Sequence, residues 1–270
     1  MAIPLAHVRN LLIDMDGVLY RGKTALPGGP ELFAFMERHG VRYLLVTNNS
    51  TLSQAQFAAR LAGMGMAVPE ELIMTSGVAT ATYLASLAPR GTKVNVVGEQ
   101  ALVDEIAKRG FTIAGRDAEY VVCGWDKTIN FEKLKTATLA IRAGAQFIGT
   151  NPDKTYPLEQ DIIPGAGSII ASLVAATDVQ PLVIGKPEPI ITQQAMQMLG
   201  ASADETAVLG DRLDTDVLGG QRAGITTILV LTGIATADDL AASAVQPDYT
   251  YADLPALIAA WEGALAGAHE

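Results

Sequence analysis

Short β-rich runs alternate with stretches of helical spacing along almost the whole chain, the pattern of a parallel α/β sheet whose crossovers are helices. The runs at residues 9–13 and 43–46 are apolar and stop on Asp14 and Thr47. Residues 206–209 run into Gly210 and Asp211, and the apolar run at 227–231 follows Gly224. Between the first two runs, residues 29–39 repeat apolar positions at the helical period, with Gly40 as a stop; residues 53–63 do the same further on.

A second group of α/β units begins near Lys93. Residues 93–97, 120–123 and 146–149 predict strands, and 100–108 and 131–142 predict helices. Polar, turn-like segments flank this group: Pro89-Arg90-Gly91 before it and Ala175-Ala176-Thr177-Asp178 after it. The chain therefore reads as a core in two parts, residues 1–88 and 181–270, with an α/β domain inserted over 89–180. Solenoid repeats, coiled-coil heptads and low-complexity segments are not seen.

Composition narrows the function classes. Of 270 residues, 49% are hydrophobic and 18% charged, and 29 acidic against 19 basic side chains give a net charge of −10. A nucleic-acid partner needs clustered Lys and Arg, so that class is disfavoured. The one cysteine, Cys123, excludes an intrachain disulfide, and His7, His39 and His269 are too scattered for a zinc site. No apolar run approaches the ~18 to 20 residues of a membrane span. His7, Arg9 and Asn10, followed at once by Asp14 and Asp16, interrupt any secretory leader. A cytoplasmic location without a membrane partner is the expectation.

The chemistry sits at predicted strand ends, where open α/β sheets bind ligands. Four clusters fall there: Asp14-Met15-Asp16-Gly17, Thr47-Asn48-Asn49-Ser50, Gly185-Lys186-Pro187, and the segment from Gly210 through Asp211, Arg212 and Asp214 to Asp216. Alone, each has a structural explanation: a chance acidic pair, a helix cap, a turn, a charged helix start. Together they bring several carboxylates, a lysine and a hydroxyl to one crevice. Crowded carboxylates raise one another's pKa unless a cation neutralises them. Oxygen ligands of this kind suit magnesium, which shares its sites with phosphate. A metal plus Lys186 would let an acidic protein bind an anion, and that electrostatic stabilisation is what phosphoryl transfer chiefly needs.

The ordered motifs Asp-x-Asp-Gly-Val-Leu, Thr-Asn-Asn-Ser, Gly-Lys-Pro and Gly-Asp-Arg-Leu-Asp-Thr-Asp, with Val-Gly-Glu in the insert, span nearly the whole chain. They resemble the haloacid dehalogenase superfamily, and within it the NagD-like, p-nitrophenyl phosphatase branch with a class-two cap. The resemblance implies a Rossmann-like doubly wound parallel-sheet core with an inserted α/β cap, and a magnesium-dependent phosphatase acting on small phosphorylated metabolites. It implies that Asp14 is nucleophile and metal ligand. Asp16 would bind the metal through its backbone carbonyl while its carboxyl serves as acid, then base. Thr47 and the backbone of Asn48 would hold phosphoryl oxygens, and Lys186 would pair with phosphate and Asp14. Asp211 would complete the metal ligands, and Asp216 would orient metal-bound water or Lys186. Asp214 receives no role. Aspartate at position 16 fits a phosphatase, where the family's transport ATPases carry Thr and its dehalogenases Tyr. Caps in this family often mediate dimers, so the resemblance admits a homodimer.

Two other classes use similar residues: a phosphotransferase or mutase on the same scaffold, and a phospho-aspartate receiver. Receivers are usually single domains of about half this length, so the insert argues against one. A serine-nucleophile elbow and a P-loop are missing. Cys123 reads as a buried strand residue and Trp125 as packing, as do the Met64/Met66 and Met196/Met198 pairs. Gly165-Ala166-Gly167-Ser168 reads as a turn, because Ile170 stands where a dinucleotide fingerprint needs glycine. Residues 151–153, Tyr156-Pro157 and 164–168 are the insert segments expected to face the core.

Overall fold

The computed structural model describes residues 2–157 and 161–267, so His269 and residues 158–160 lie outside it. The chain divides into two units: Met1–Val46, Ala58–Met74 and Lys186–Glu270 form the first, Thr47–Phe57 and Thr75–Gly185 the second.

In the first unit the apolar runs become neighbours in one sheet. Its order is Tyr249–Tyr251, Thr226–Val230, Thr206–Gly210, Asn10–Ile13, Arg42–Thr47 and Ile73–Thr75. The pairs from Tyr249–Tyr251 across to Arg42–Thr47 are parallel. Asn10–Ile13, Thr206–Gly210 and Thr226–Val230 are buried at every position, which is why their sequences read as unbroken apolar runs rather than alternating ones. Chain order reverses about Asn10–Ile13: Arg42–Thr47 and Ile73–Thr75, next in sequence, lie on one side, and the three strands after residue 205 lie on the other. The carboxyl ends at that reversal are where Asp14 and Asp211 emerge.

Helix Gly29–His39 ends as its sequence indicates. Gly40 takes φ 65°, its N–H returning to the Glu37 carbonyl at 3.3 Å and that of Val41 to Met36 at 2.9 Å. The helix buries Leu32, Phe35 and Met36 and packs on the helix Leu254–Gly267. There Trp261, fully buried, meets Phe35 with ring centroids 5.2 Å apart. Ser53 caps the helix Gln54–Ala62 reciprocally with Gln56, each main-chain N–H donating to the other side chain at 3.2 and 2.8 Å.

The second unit carries its own parallel sheet, ordered Leu182–Val183, Gln146–Gly149, Tyr120–Cys123, Lys93–Val97 and Thr112–Ile113. Helices Phe131–Arg142 and Ala166–Thr177 pack together over it, around Val121, Cys123, Trp125, Phe147 and Ile170. Burial pushes the Cys123 thiol up, which suits its place in the core. Thr155–Pro157 pairs antiparallel with Ile162–Pro164.

Two expected turns are helix instead. Ala166–Thr177 begins directly after Gly165, and residues 175–177 are its last turn, closed by Asp178 in the left-handed conformation at φ 60°. The glycines at 165 and 167 serve close packing rather than a turn: added Cβ atoms would lie 2.4 Å from the Asp153 carbonyl oxygen and 2.2 Å from that of Pro152. Among the described residues no helix is long and apolar enough to cross a membrane.

Trp261 anchors the C-terminal helix, so Trp261→Ala should destabilise the protein by about 3–5 kcal/mol. Urea unfolding followed by circular dichroism reads this; a loss below about 1 kcal/mol would place the helix outside the cooperative core.

Candidate active site

The pairing register explains why two aspartates meet. Ile13 lies opposite Leu209, so Asp14 and Gly210-Asp211 leave adjacent parallel strands at the same end. The Asp14 N–H still donates to the Leu209 carbonyl at 2.8 Å, which fixes the point where the chain leaves the sheet. On the other flank Leu45 lies opposite Ile13, and Thr47 is the last residue of its strand.

Lys186 is the hub of the first unit's polar cluster. Its Nζ donates to Asp14 Oδ1 at 2.6 Å, to Asp216 Oδ1 at 2.6 Å and to the Val46 carbonyl at 3.0 Å, and the residue is only 4% exposed. Burial alone would lower an ammonium pKa, but Asp14 and Asp216 outweigh it and hold Lys186 above its ordinary value. It is a fixed cation, not a proton donor.

Asp216 closes a wide turn over Leu213–Val217, where its Oδ2 accepts from the Arg212 N–H at 3.2 Å while Oδ1 takes Lys186. Asp211 Oδ2 accepts from the Ile234 N–H at 2.7 Å, and Gly233 lies so close that a Cβ there would sit 1.8 Å from that oxygen. Asp211 Oδ1, also buried, has no hydrogen-bond partner. Backbone donors such as Ile234 N–H carry no side-chain signature, so sequence reading could not find them.

Ligand oxygens of Asp14, Asp211 and Asp216 lie within 4.8 Å of one another. Burial is the main cause that pushes Asp14 up to about 7; Lys186 pulls it down, and Asp216 and Asp16 push it further up. Asp211 is raised well above its ordinary value, by burial first and then by Asp14 and Asp216. With all three carboxylates ionised against one ammonium the site would carry excess negative charge, and Asp211 Oδ1 lacks any hydrogen-bond partner. A hard divalent cation fits that donor set: oxygen ligands only, two charges to neutralise, and a free lone pair on Asp211 Oδ1.

Asp16, half-buried in the loop after Asp14, is not in the carboxylate trio, although its charge acts on both Asp14 and Tyr20. Asp214 pairs with Arg212 at 2.8 Å, its side chain 69% exposed.

In the second unit Thr47 Oγ1 accepts from the Asn49 N–H at 3.2 Å. Asn48 is tied at both ends: its carbonyl accepts from Ser76 Oγ at 2.6 Å, and its Nδ2 donates to Asp153 Oδ2 at 2.9 Å.

The sequence matches the haloacid dehalogenase-like hydrolase family over residues 11–112 and the HAD-hydrolase-like family over 183–257. It is 37% identical to an acid sugar phosphatase of Staphylococcus epidermidis, over 96% of this chain and 100% of that one. A crystal structure of a 4-nitrophenylphosphatase from Thermotoga maritima is similar with TM-score 0.91 and 34% identity, covering 94% of this chain and 98% of the other. A glycerol phosphate phosphatase from Mycobacterium tuberculosis, solved in complex with calcium, is similar with TM-score 0.87 and 35% identity over 94% of this chain and 76% of its own.

The raised Asp14 carboxyl makes stability depend on pH. An unfolded aspartate ionises near 3.8 while the folded one holds its proton to about 7, so between those values the unfolded chain binds fewer protons and stability falls as pH rises. Metal-stripped protein should therefore melt at a lower temperature near pH 7.5 than near pH 5.5. Asp14→Asn should reduce the difference, and added magnesium should reduce it in the wild type. A difference equal in wild type and variant would assign the pH dependence to other groups.

Proposed function

The chain belongs to the haloacid dehalogenase-like hydrolases and is a phosphoric monoester hydrolase; from that premise we propose that it hydrolyses small phosphate monoesters through a phosphoryl group carried on Asp14, with bound magnesium. The observation that carries this reading is the Lys186 ammonium held between Asp14 and Asp216, 2.6 Å from each, in a buried site. An aspartate so placed has one oxygen fixed by a cation and the other available for attack.

The residues divide the chemistry as follows. A carboxylate oxygen of Asp14 attacks phosphorus, and the bond from phosphorus to the ester oxygen breaks. Asp16, two residues on in the same loop, gives its proton to the departing alkoxide. It then takes a proton from water, whose oxygen attacks phosphorus. The acyl-phosphate P–O bond breaks, releasing inorganic phosphate and restoring the Asp14 carboxylate and the Asp16 acid. Lys186 offsets negative charge on Asp14 and on the phosphoryl group. Thr47 and the Asn48 backbone hold phosphoryl oxygens. Asp216 keeps Lys186 aimed at Asp14.

Asp14, Asp211 and the backbone carbonyl of Asp16 would hold the metal, with the Asp216 carboxylate close enough to Asp14 and Asp211 to serve it directly or through water. When bound it supplies charge neutralisation for the carboxylates and the phosphoryl oxygens. The names of the similar proteins put sugar phosphates and glycerol phosphate first among substrates to try. Residues 89–180 are proposed as the cap that selects among them, as a small-molecule phosphatase needs contacts remote from phosphorus to choose its leaving group.

Steady release of inorganic phosphate from p-nitrophenyl phosphate should cease on exhaustive chelation and return with magnesium; full activity after chelation would remove the metal from the reading. Asp14→Asn should abolish turnover. Asp16→Asn should cost on the order of 10² to 10⁴ on alkyl phosphates and markedly less on p-nitrophenyl phosphate, whose leaving group needs no proton. Equal losses on both would take the acid role from Asp16.

A further inference from the structure

The segment after the strand Gln146–Gly149 is built around one carboxylate. Asp153 Oδ2 accepts from Asn151 Nδ2 at 2.7 Å and from Asn48 Nδ2 at 2.9 Å, the latter 105 residues away in sequence. Asn151 is 5% exposed, and its own Oδ1 accepts from Thr150 Oγ1 at 2.8 Å. The Asp153 carbonyl accepts from the Gly167 N–H at 2.8 Å, which ties the segment to the start of the helix Ala166–Thr177. The carboxylate is thus held from its own segment and spends the same oxygen on Asn48.

Asn48 has little freedom besides. Ser76 Oγ holds its carbonyl, and Gly185 leaves room for its side chain: a Cβ there would lie 2.6 Å from Asn48 Oδ1. Side chain and carbonyl are therefore fixed on either side of the Asn48 peptide groups. Of these restraints, Asp153 is the one that reaches Asn48 through a side-chain hydrogen bond from within the insert, 105 residues on.

We propose that Asp153 is a positioning residue for phosphoryl transfer, holding Asn48 so that the Thr47–Asn48 backbone stays aimed at the phosphoryl oxygens. The inference rests on the role given above to Thr47 and Asn48. Asp153 acts through Asn48 and does not itself touch the phosphoryl group. Loss of the carboxylate frees the Asn48 amide, and the main-chain donors then spend part of their time misdirected. The cost falls on phosphate binding as well as on turnover.

A double-mutant cycle tests this, with purified full-length protein, magnesium and p-nitrophenyl phosphate, and inorganic phosphate as competitive inhibitor. Asp153→Ala should raise both KM and the inhibition constant of phosphate by roughly tenfold, the scale of a lost charged hydrogen bond. Asp153→Asn, whose side-chain oxygen still accepts, should recover to within about threefold of wild type. In an Asn48→Ala background, adding Asp153→Ala should cost less than about twofold, because the path through Asn48 is already cut. Equal losses in both backgrounds would show that Asp153 merely holds its own unit together, and no loss in the wild-type background would show that it holds nothing that matters; either overturns the proposal. If circular dichroism shows Asp153→Ala unfolded, Asp153→Ser, too short to reach both amides, takes its place in the cycle. Asp14→Asn is assayed alongside. Persisting turnover there would overturn the underlying reading and the proposal with it, whereas an inactive Asp14→Asn with an additive cycle would overturn the Asp153 role alone.

Discussion

One buried ammonium between two buried carboxylates is the constraint on which the rest of the first unit depends. Taking Lys186, Asp14 and Asp216 out of water costs each of them solvation, and only close mutual contacts offset that cost. At 2.6 Å to each carboxylate and 3.0 Å to the Val46 carbonyl, those contacts are made. The third carboxylate, Asp211, has no such compensation beyond the Ile234 N–H. Burial and its neighbours raise its pKa, and its orphan oxygen leaves a donor suited to a cation.

The sheet serves this arrangement. Parallel strands in register put Asp14 and Asp211 side by side, and the backbone bond from Asp14 N–H to Leu209 prevents either from sliding. The strands that carry them are buried at every position, so the backbone holding these like charges close is packed on both faces. The turn carrying Asp216 follows two residues after Asp211 begins its loop, so one short segment supplies both a carboxylate of the trio and the partner of Lys186. Phosphoryl transfer needs fixed charges more than it needs covalent machinery, and this is a way of fixing them.

Much of this was legible in the sequence. The strands Lys93–Val97, Tyr120–Cys123 and Gln146–Gly149 and the helices Gln100–Lys108 and Phe131–Arg142 stand where the pattern predicts them. Unbroken apolar runs ending on polar residues have few alternatives to a buried parallel strand. The polar clusters were visible because aspartate and lysine at strand ends are chemically conspicuous. Legibility failed where long-range contact decides local structure. Gly165 and Gly167 look like a turn until the carbonyls of Pro152 and Asp153 are seen pressed against them. Strands of two or three residues, such as Leu182–Val183 and Ile73–Thr75, are too short to show a period. Asp216 was expected beside Lys186, but the turn that also brings it within reach of Asp14 and Asp211 shows only in the folded chain, and the amide grip on Asp153 spans 105 residues.

Every role proposed for the site follows from phosphoryl transfer to Asp14. Borohydride added during steady turnover of p-nitrophenyl phosphate reduces an aspartyl phosphate to the corresponding alcohol, and peptide mass mapping then locates the altered residue. Homoserine should appear at position 14, and only in the presence of substrate. Unmodified Asp14 in enzyme quenched during turnover, with the altered residue elsewhere in the chain, would contradict that transfer.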